Sequence, residues 1–166
     1  MALLVIPGLL QTQAYARAIL SSRLDSTSEE IDEAVAARME RQRILEQDQP
    51  PELSAIVDEA ALRRPVGGPE VMRGQLAHLT ARRPTVAIQV IPFTAGAHEG
   101  LRGGAFVIAD YEEAASIAYQ DAASSGQIIE DPGVVGALAH TWDTLRLEAL
   151  PRAASLALIQ EIKKEL

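Results

Sequence analysis

Two stretches of this 166-residue chain carry side chains able to bind or transform a ligand. In the first, Arg63 and Arg64 precede the glycine pair Gly67–Gly68. Guanidinium groups beside the N–H groups of a glycine turn at the start of a helix can hold a carboxylate or a phosphate. The spacing is not that of a P-loop, because no Gly-Lys-Ser/Thr sequence follows it.

That turn also has an ordinary interpretation, which we favour. Either arginine pairs with the preceding acids, Asp58 and Glu59, or with another carboxylate, and the glycines serve only the turn. The two interpretations predict different results for Arg63→Ala and Arg64→Ala. On the first, ligand binding weakens about tenfold and the fold stays intact; on the second, thermal stability falls.

The second stretch is a glycine-rich loop from Pro92 to Gly104, which contains Phe93, His98 and Glu99. Loops of this length in a compact domain are usually functional or mobile. A histidine beside a carboxylate can transfer protons, so a small enzyme using His98 and Glu99 is one possible function. No nucleophile motif or metal-ligand spacing accompanies the pair, and we therefore favour exposed loop residues without a catalytic role.

The elements around these stretches predict that they face each other. A strand from Leu53 to Val57, a helix from Pro69 to about Arg82 and an alternating strand from Thr85 to Ile91 form a crossover unit with parallel strands. Both loops then lie at the carboxyl edge of the sheet, where such units bind ligands. With Phe93 and Tyr119 adding apolar contact, we predict a site there for an anionic or partly aromatic ligand, or for an acidic segment of a partner protein.

The rest of the chain completes a domain of the α+β class. Leu3 to Ile6 is a candidate short strand, and an antiparallel hairpin follows the glycine-rich loop. The flanking helices are predicted over Thr12 to Ser22, Thr27 to Gln47, Asp131 to Ala149 and the last residues of the chain. We expect one domain over residues 1–166, with a small mixed sheet of four to five strands and helices packed from both ends of the chain.

The long second helix has a polar residue on its apolar stripe. Gln42 continues the line of Ile31, Val35 and Met39, and Arg38 lies nearby. A polar side chain in that position bonds to a buried group or faces a partner. We favour a bond to nearby backbone; the other interpretation is contact with a second protomer or with a preceding helix, which makes a homodimer one of the expected assemblies.

Charge argues against direct DNA contact. The chain has 15 basic and 23 acidic residues, a net charge of −8, whereas DNA-binding surfaces carry clustered Lys and Arg. The first two helices imitate a helix-turn-helix, but the second begins with Glu29, Glu30, Asp32 and Glu33, which would face phosphate. We interpret the pair as a helical hairpin.

Composition limits the chemistry further. Cysteine is absent, so disulfides and thiolate catalysis are excluded. No apolar run approaches the length of a membrane span, and Met1 to Leu10 lacks the basic start of a signal peptide. We expect a cytoplasmic location, no membrane contact and no cofactor.

Several runs resemble an uncharacterised domain that follows the N-terminal helix-turn-helix of XRE-type regulators in actinobacteria. The runs occur in the same order and extend over nearly the whole chain. They are PGLLQTQAYARA (7–18), RMERQRIL (38–45), DEAALR (58–63), GGPEVMRGQL (67–76), VIPFTAGAH (90–98) and DTLRLEAL (143–150).

The resemblance implies a single regulatory or sensor domain of a transcriptional regulator, without catalysis. Its signal would be an unidentified small molecule or a small partner protein. The DNA-binding domain is absent before Leu3, so we expect no operator binding by this chain itself. A pocket of apolar groups with one or two arginines would favour a sensor; a pocket holding His98 beside a carboxylate and a reactive hydroxyl would favour an enzyme.

Overall fold

The computed structural model describes residues 5–23, 26–81, 83–121 and 126–166. Seven α-helices lie in these ranges: α1 Gln13–Leu20, α2 Ser28–Gln42, α3 Glu59–Arg63, α4 Pro69–Thr80, α5 Gly100–Gly103, α6 Pro132–Glu148 and α7 Arg152–Lys164. The five strands are β1 Leu53–Asp58, β2 Val86–Ile91, β3 Phe106–Ala109, β4 Ile117–Asp121 and β5 Gly126–Ile129. Short 3₁₀ turns cover Gly8–Leu10, Arg43–Glu46 and Phe93–Ala95.

The α+β class is confirmed, and so is the crossover unit. β1 and β2 are parallel, with Leu53 opposite Val86 and Asp58 opposite Ile91. The five strands divide into two sheets in the described part of the chain, a parallel pair β1-β2 and an antiparallel sheet in the order β3-β4-β5. The sequence predicted one mixed sheet instead.

The outer edge of β2 is occupied by the link between α6 and α7, which helps explain why the two sheets stay separate. Leu150 N donates to Val90 O at 2.8 Å, and Val90 N donates to the Ser155 hydroxyl at 3.0 Å. Gln89 Nε2 donates to Leu150 O at 3.0 Å. Because these groups are already satisfied, no further strand pairs with β2 there.

Some predicted boundaries differ from the structure. The candidate strand at Leu3 to Ile6 falls partly on residues 1–4, outside the described ranges, and Ile6 is not in a strand. The third predicted helix ends at Thr80, and Arg82 also lies outside the described ranges. Strand β5 was missed, because Gly-Gln-Ile-Ile is too short to show alternation.

The parallel pair separates two hydrophobic clusters. Ala55, Val57, Val86, Ile88 and Val90 face the larger one, together with side chains from α4 and α7. The other face contributes Ile56 and Ile91, which pack with Leu145 of α6. Among the described residues, no helix is both long and apolar enough to cross a membrane.

A buried glutamine on α4 holds the N-terminal segment against this core. Gln75 has no exposed surface. Its Oε1 accepts from Thr12 N at 2.6 Å, and its Nε2 donates to Leu10 O at 2.7 Å. The segment that resembles the family opening is therefore fixed by one side chain more than sixty residues away.

Two further glutamines extend these contacts. Gln11 Nε2 donates to Ile6 O at 2.6 Å, and its Oε1 accepts from Arg38 at 2.7 Å. Gln42 Nε2 donates to Gly8 O at 2.7 Å and to Gln11 O at 2.8 Å. The favoured interpretation of Gln42, a bond to backbone, is confirmed, although the carbonyls are remote in sequence. We call Gln11, Gln42 and Gln75 the glutamine network.

Ser155→Ala is expected to lower the free energy of unfolding by about 1–2 kcal/mol, because it leaves the buried Val90 N–H without its acceptor. Chemical denaturation would measure the change. The exposed Ser54 on β1 offers the control, and Ser54→Ala should change stability by less than about 0.5 kcal/mol. Equal effects of the two substitutions would show that the hydroxyl does not stabilise the strand edge.

Candidate functional site

The acidic pair at the end of β1 meets the glycine-rich loop at the carboxyl edge of the parallel pair. Phe93 N, at the start of the glycine-rich loop, donates to Glu59 Oε2 at 2.8 Å. Further along the same loop, His98 Nε2 lies 2.9 Å from Asp58 Oδ2. The acidic pair at the end of β1 thus anchors the loop that follows β2. The sequence predicted the Arg63–Gly68 turn in this place; Arg63 is connected to the loop through its bond to Glu59.

The expectation that His98 is exposed was wrong. Its side chain is only 5% exposed, and its partner is Asp58 rather than Glu99. Glu99 points to solvent near Arg102. A methyl group on Gly100 would lie 3.0 Å from His98 Nδ1 and 3.3 Å from Leu145, so the imidazole packs closely against the backbone of residue 100.

The Asp58–His98 pair fixes the loop in position. Asp58 Oδ1 also accepts from Ala60 N at 2.7 Å and caps the start of α3. Within the described residues, His98 Nδ1 has no hydrogen-bond partner. The ring therefore joins the loop to a helix cap through one nitrogen, with its other nitrogen packed against Gly100.

Arg63 is paired with carboxylates on two sides. Its Nε donates to Glu59 Oε1 at 2.6 Å, and its NH1 donates to Glu165 Oε2 at 2.6 Å. These bonds, the one to Glu59 foremost, raise the pKa of Arg63. Pairing with Glu59 is what our favoured interpretation of the turn expected. Arg64, the next residue, is exposed.

Of the two glycines in the turn, Gly67 packs onto α1. Both residues have positive φ, 68° at Gly67 and 90° at Gly68, a region that favours glycine. A Cβ on Gly67 would lie 2.9 Å from the Ala18 Cβ. Gly68 is the N-cap of α4, with Pro69 at the first helical position, as predicted.

The predicted aromatic residues lie apart. Phe93 is 58% exposed at the loop. Tyr119 is in β4 of the antiparallel sheet, where its ring covers Gly126. The carboxyl edge thus brings together Glu59, Arg63, Phe93 and His98, and Tyr119 belongs to the other sheet. Whether this group binds a ligand stays a prediction.

A cavity of about 310 Å³ lies at the opposite, amino-terminal end of β2. Its apolar lining comes from the N-terminal turn, α4, β2 and α7, through Leu10, Leu79, Val86, Ile88 and Leu156. The remaining lining residues are Thr80, Ala81, His78, Arg83 and Arg152. The volume is at the lower end of the range of about 300–1,000 Å³ for small-molecule sites.

The charged lining of the cavity is basic. A terminal nitrogen of Arg83 lies 3.0 Å from His78 Nδ1 and closer still to Nε2. Arg152 donates to Val86 O at 3.2 Å. Burial, and secondarily the charge of Arg83, lower the pKa of His78. The imidazole is consequently neutral at pH 7 and able to accept a hydrogen bond from the arginine.

A family model described as a domain of unknown function, DUF5753, matches residues 1–161. The chain belongs to the DUF5753 family. No curated protein matches it, and no solved structure does. The match agrees with the resemblance to an uncharacterised domain, and the association with XRE-type regulators remains a prediction.

Sequence reasoning missed the cavity of this DUF5753 domain. The sequence predicted a site at the carboxyl edge of the sheet, where crossover units usually bind ligands. A signal was nevertheless present: Arg83 precedes Pro84 just before β2, and Arg152 follows Pro151 at the start of α7. Basic residues beside prolines marked both element boundaries, but only the packing of α7 on β2 brings the two together.

Proposed function

We propose that this chain is the ligand-sensing regulatory domain of an XRE-type DNA-binding regulator, and that another domain contacts the operator. The observation that carries the proposal is the cavity, which combines an apolar lining with two arginines. A pocket of apolar groups with one or two arginines is the type that we expected of a sensor rather than of an enzyme. Its volume suits one small organic molecule rather than a macromolecule.

The charge of the chain supports the proposal that another domain contacts the DNA. With a net charge of −8, the domain repels the phosphate backbone that dominates affinity for DNA. The second helix begins with carboxylates and has Arg38 bonded to Gln11. We therefore propose no base-reading role for the helical hairpin.

A small partner protein is the second candidate signal, and the antiparallel sheet favours it. Val107, Tyr119 and Ile128 stand opposite one another on three adjacent strands. Their exposed fractions are 51%, 40% and 63%. An exposed apolar row of this kind is typical of interaction surfaces, and it would serve a regulator that senses a protein.

For the enzyme alternative, the nearest feature is the Asp58–His98 pair. Glu99, the other residue of that hypothesis, is not part of the pair. The other ring nitrogen of His98, Nδ1, lies beside Gly100 and has no hydrogen-bond partner among the described residues. We propose that the pair anchors the loop instead of transferring protons.

The test is whether small molecules bind in the cavity. Native mass spectrometry of freshly purified protein would reveal a carried ligand, and a thermal-shift screen of fragments would find substitutes. A cavity ligand should raise the melting temperature by about 2–4 °C for each kcal/mol by which it stabilises the folded state at the concentration used.

Ala81→Trp fills the cavity from its rim, and Ala77→Trp, on an exposed position of α4, is the matched control. Ligands should stabilise the wild type and Ala77→Trp but not Ala81→Trp. The sensor proposal fails if nothing is carried and no fragment binds, or if the fragments bind Ala81→Trp equally well.

A further inference from the structure

We propose that the cavity binds a small organic anion, a single carboxylate or comparable group on a compact apolar body, with Arg83 and Arg152 as its charge partners. This inference rests on the proposed function, since it names the class of molecule that the sensor would take. It adds a preference for charge to the general ability of an apolar cavity to bind ligands.

The arginines of the cavity differ from Arg63 in their ion pairing. Arg63 donates to two carboxylates and has little charge left to offer an anion. Among the residues that the structure describes, neither Arg83 nor Arg152 forms an ion pair. In a chain with 23 acidic residues against 15 basic ones, two arginines that line one cavity without a carboxylate are an anion-selective arrangement.

The apolar part of the lining favours an organic anion over an inorganic one. Leu10, Leu79, Val86 and Ile88 are all buried and present hydrocarbon to the cavity. Inorganic phosphate or sulfate would contact the arginines and leave this surface dry and unused. A molecule with one charged end and an apolar body contacts both parts, while the small volume excludes dinucleotides.

His78 in the cavity lining would couple the affinity for an anion to the protonation of its imidazole. Among the described residues, the titratable groups that line the cavity are His78 on α4, Arg83 before β2 and Arg152 on α7, and none of them is a carboxylate. Burial, and after it the charge of Arg83, lowers the pKa of His78 and so disfavours a proton on the ring. A bound anion offsets that repulsion and raises the pKa of His78. By linkage, the anion must bind more tightly as the pH falls from about 7.5 to 5.5.

Octanoate and 1-octanol are a matched pair of probes, because they share an eight-carbon body and differ in charge. Calorimetry at pH 7 should give a wild-type affinity for octanoate at least about tenfold above that for octanol. Arg83→Gln and Arg152→Gln should each weaken octanoate about tenfold and leave octanol unchanged. The exposed Arg41→Gln on α2 is the control and should change neither.

The pH dependence gives a second readout that does not depend on the arginine variants. Octanoate should bind the wild type several-fold more tightly at pH 5.5 than at pH 7.5, and His78→Gln should remove this dependence. Octanoate has the same charge throughout this interval, because its carboxyl group titrates well below it. Circular dichroism would establish that each variant is folded.

Several results would overturn the anion proposal. In the first, octanol binds as tightly as octanoate and Ala81→Trp blocks the binding of both. The anion proposal then fails, and the sensor proposal stands with a neutral ligand. Others are octanoate binding that is insensitive to both arginine variants, and an absence of octanoate binding at millimolar concentration. If fragments of every class also fail to bind and no molecule is carried, the sensor proposal fails as well.

Discussion

Gln75→Leu is expected to lower the free energy of unfolding by about 2–4 kcal/mol. The substitution preserves side-chain volume but leaves Thr12 N and Leu10 O without their partners, and each buried orphan costs about 1–3 kcal/mol. The apolar contact of leucine offsets part of that cost. Urea denaturation followed by circular dichroism would measure the difference.

Gln160→Leu is the matched control, because Gln160 is an exposed glutamine inside helix α7. Its effect should stay within about 0.5 kcal/mol. If Gln75→Leu is as mild as this control, the N-terminal segment holds its place through apolar packing, and the glutamine network does not stabilise it.

Arg63→Ala is expected to destabilise the protein by about 2–3 kcal/mol. Glu59 is 7% exposed. Without Arg63, its carboxylate would keep one hydrogen bond within the described ranges, the one from Phe93 N. Breaking a buried ion pair from one side costs about 3–5 kcal/mol; the partial exposure of Arg63 reduces this. Hydrogen exchange should rise at residues 92–99, because Glu59 also holds that loop.

Arg64→Ala tests the same turn without touching Glu59, and its stability should match the wild type within about 0.5 kcal/mol. The opposite pattern would return the turn to its anion-binding interpretation. In that pattern, Arg63→Ala has the melting temperature of the wild type. In addition, Arg63→Ala or Arg64→Ala lowers the affinity for a ligand found by the fragment screen.

The sequence predicted the features that depend on local rules. The helix starts at Pro69 and at Thr27, where the structure has a capping box with Glu30, follow from residue preferences. The parallel pairing of β1 with β2 follows from backbone geometry and the handedness of crossover connections. That pairing also places the end of β1 beside the loop that follows β2. The sequence predicted that the Arg63–Gly68 turn would face this loop, whereas the contacts are made by Asp58 and Glu59.

Features that depend on remote packing could not be predicted. Gln75 lies beside Met72, Leu76 and Leu79 on the buried side of α4, where sequence patterns expect only apolar residues. His98 is buried where its loop meets Asp58 at the end of β1, a contact between residues 40 positions apart. The two arginines of the cavity belong to separate elements, and no local signal indicates that α7 brings them together.

The covered edge of β2 has a consequence for synthesis. An open strand edge is a template for pairing with other chains. Gln89 is covered by Leu150, which is 61 residues later in the chain. On the ribosome, the parallel pair can therefore form long before its cover exists. Nascent chains are exposed to aggregation during this interval, and truncations that remove α7 should leave insoluble protein.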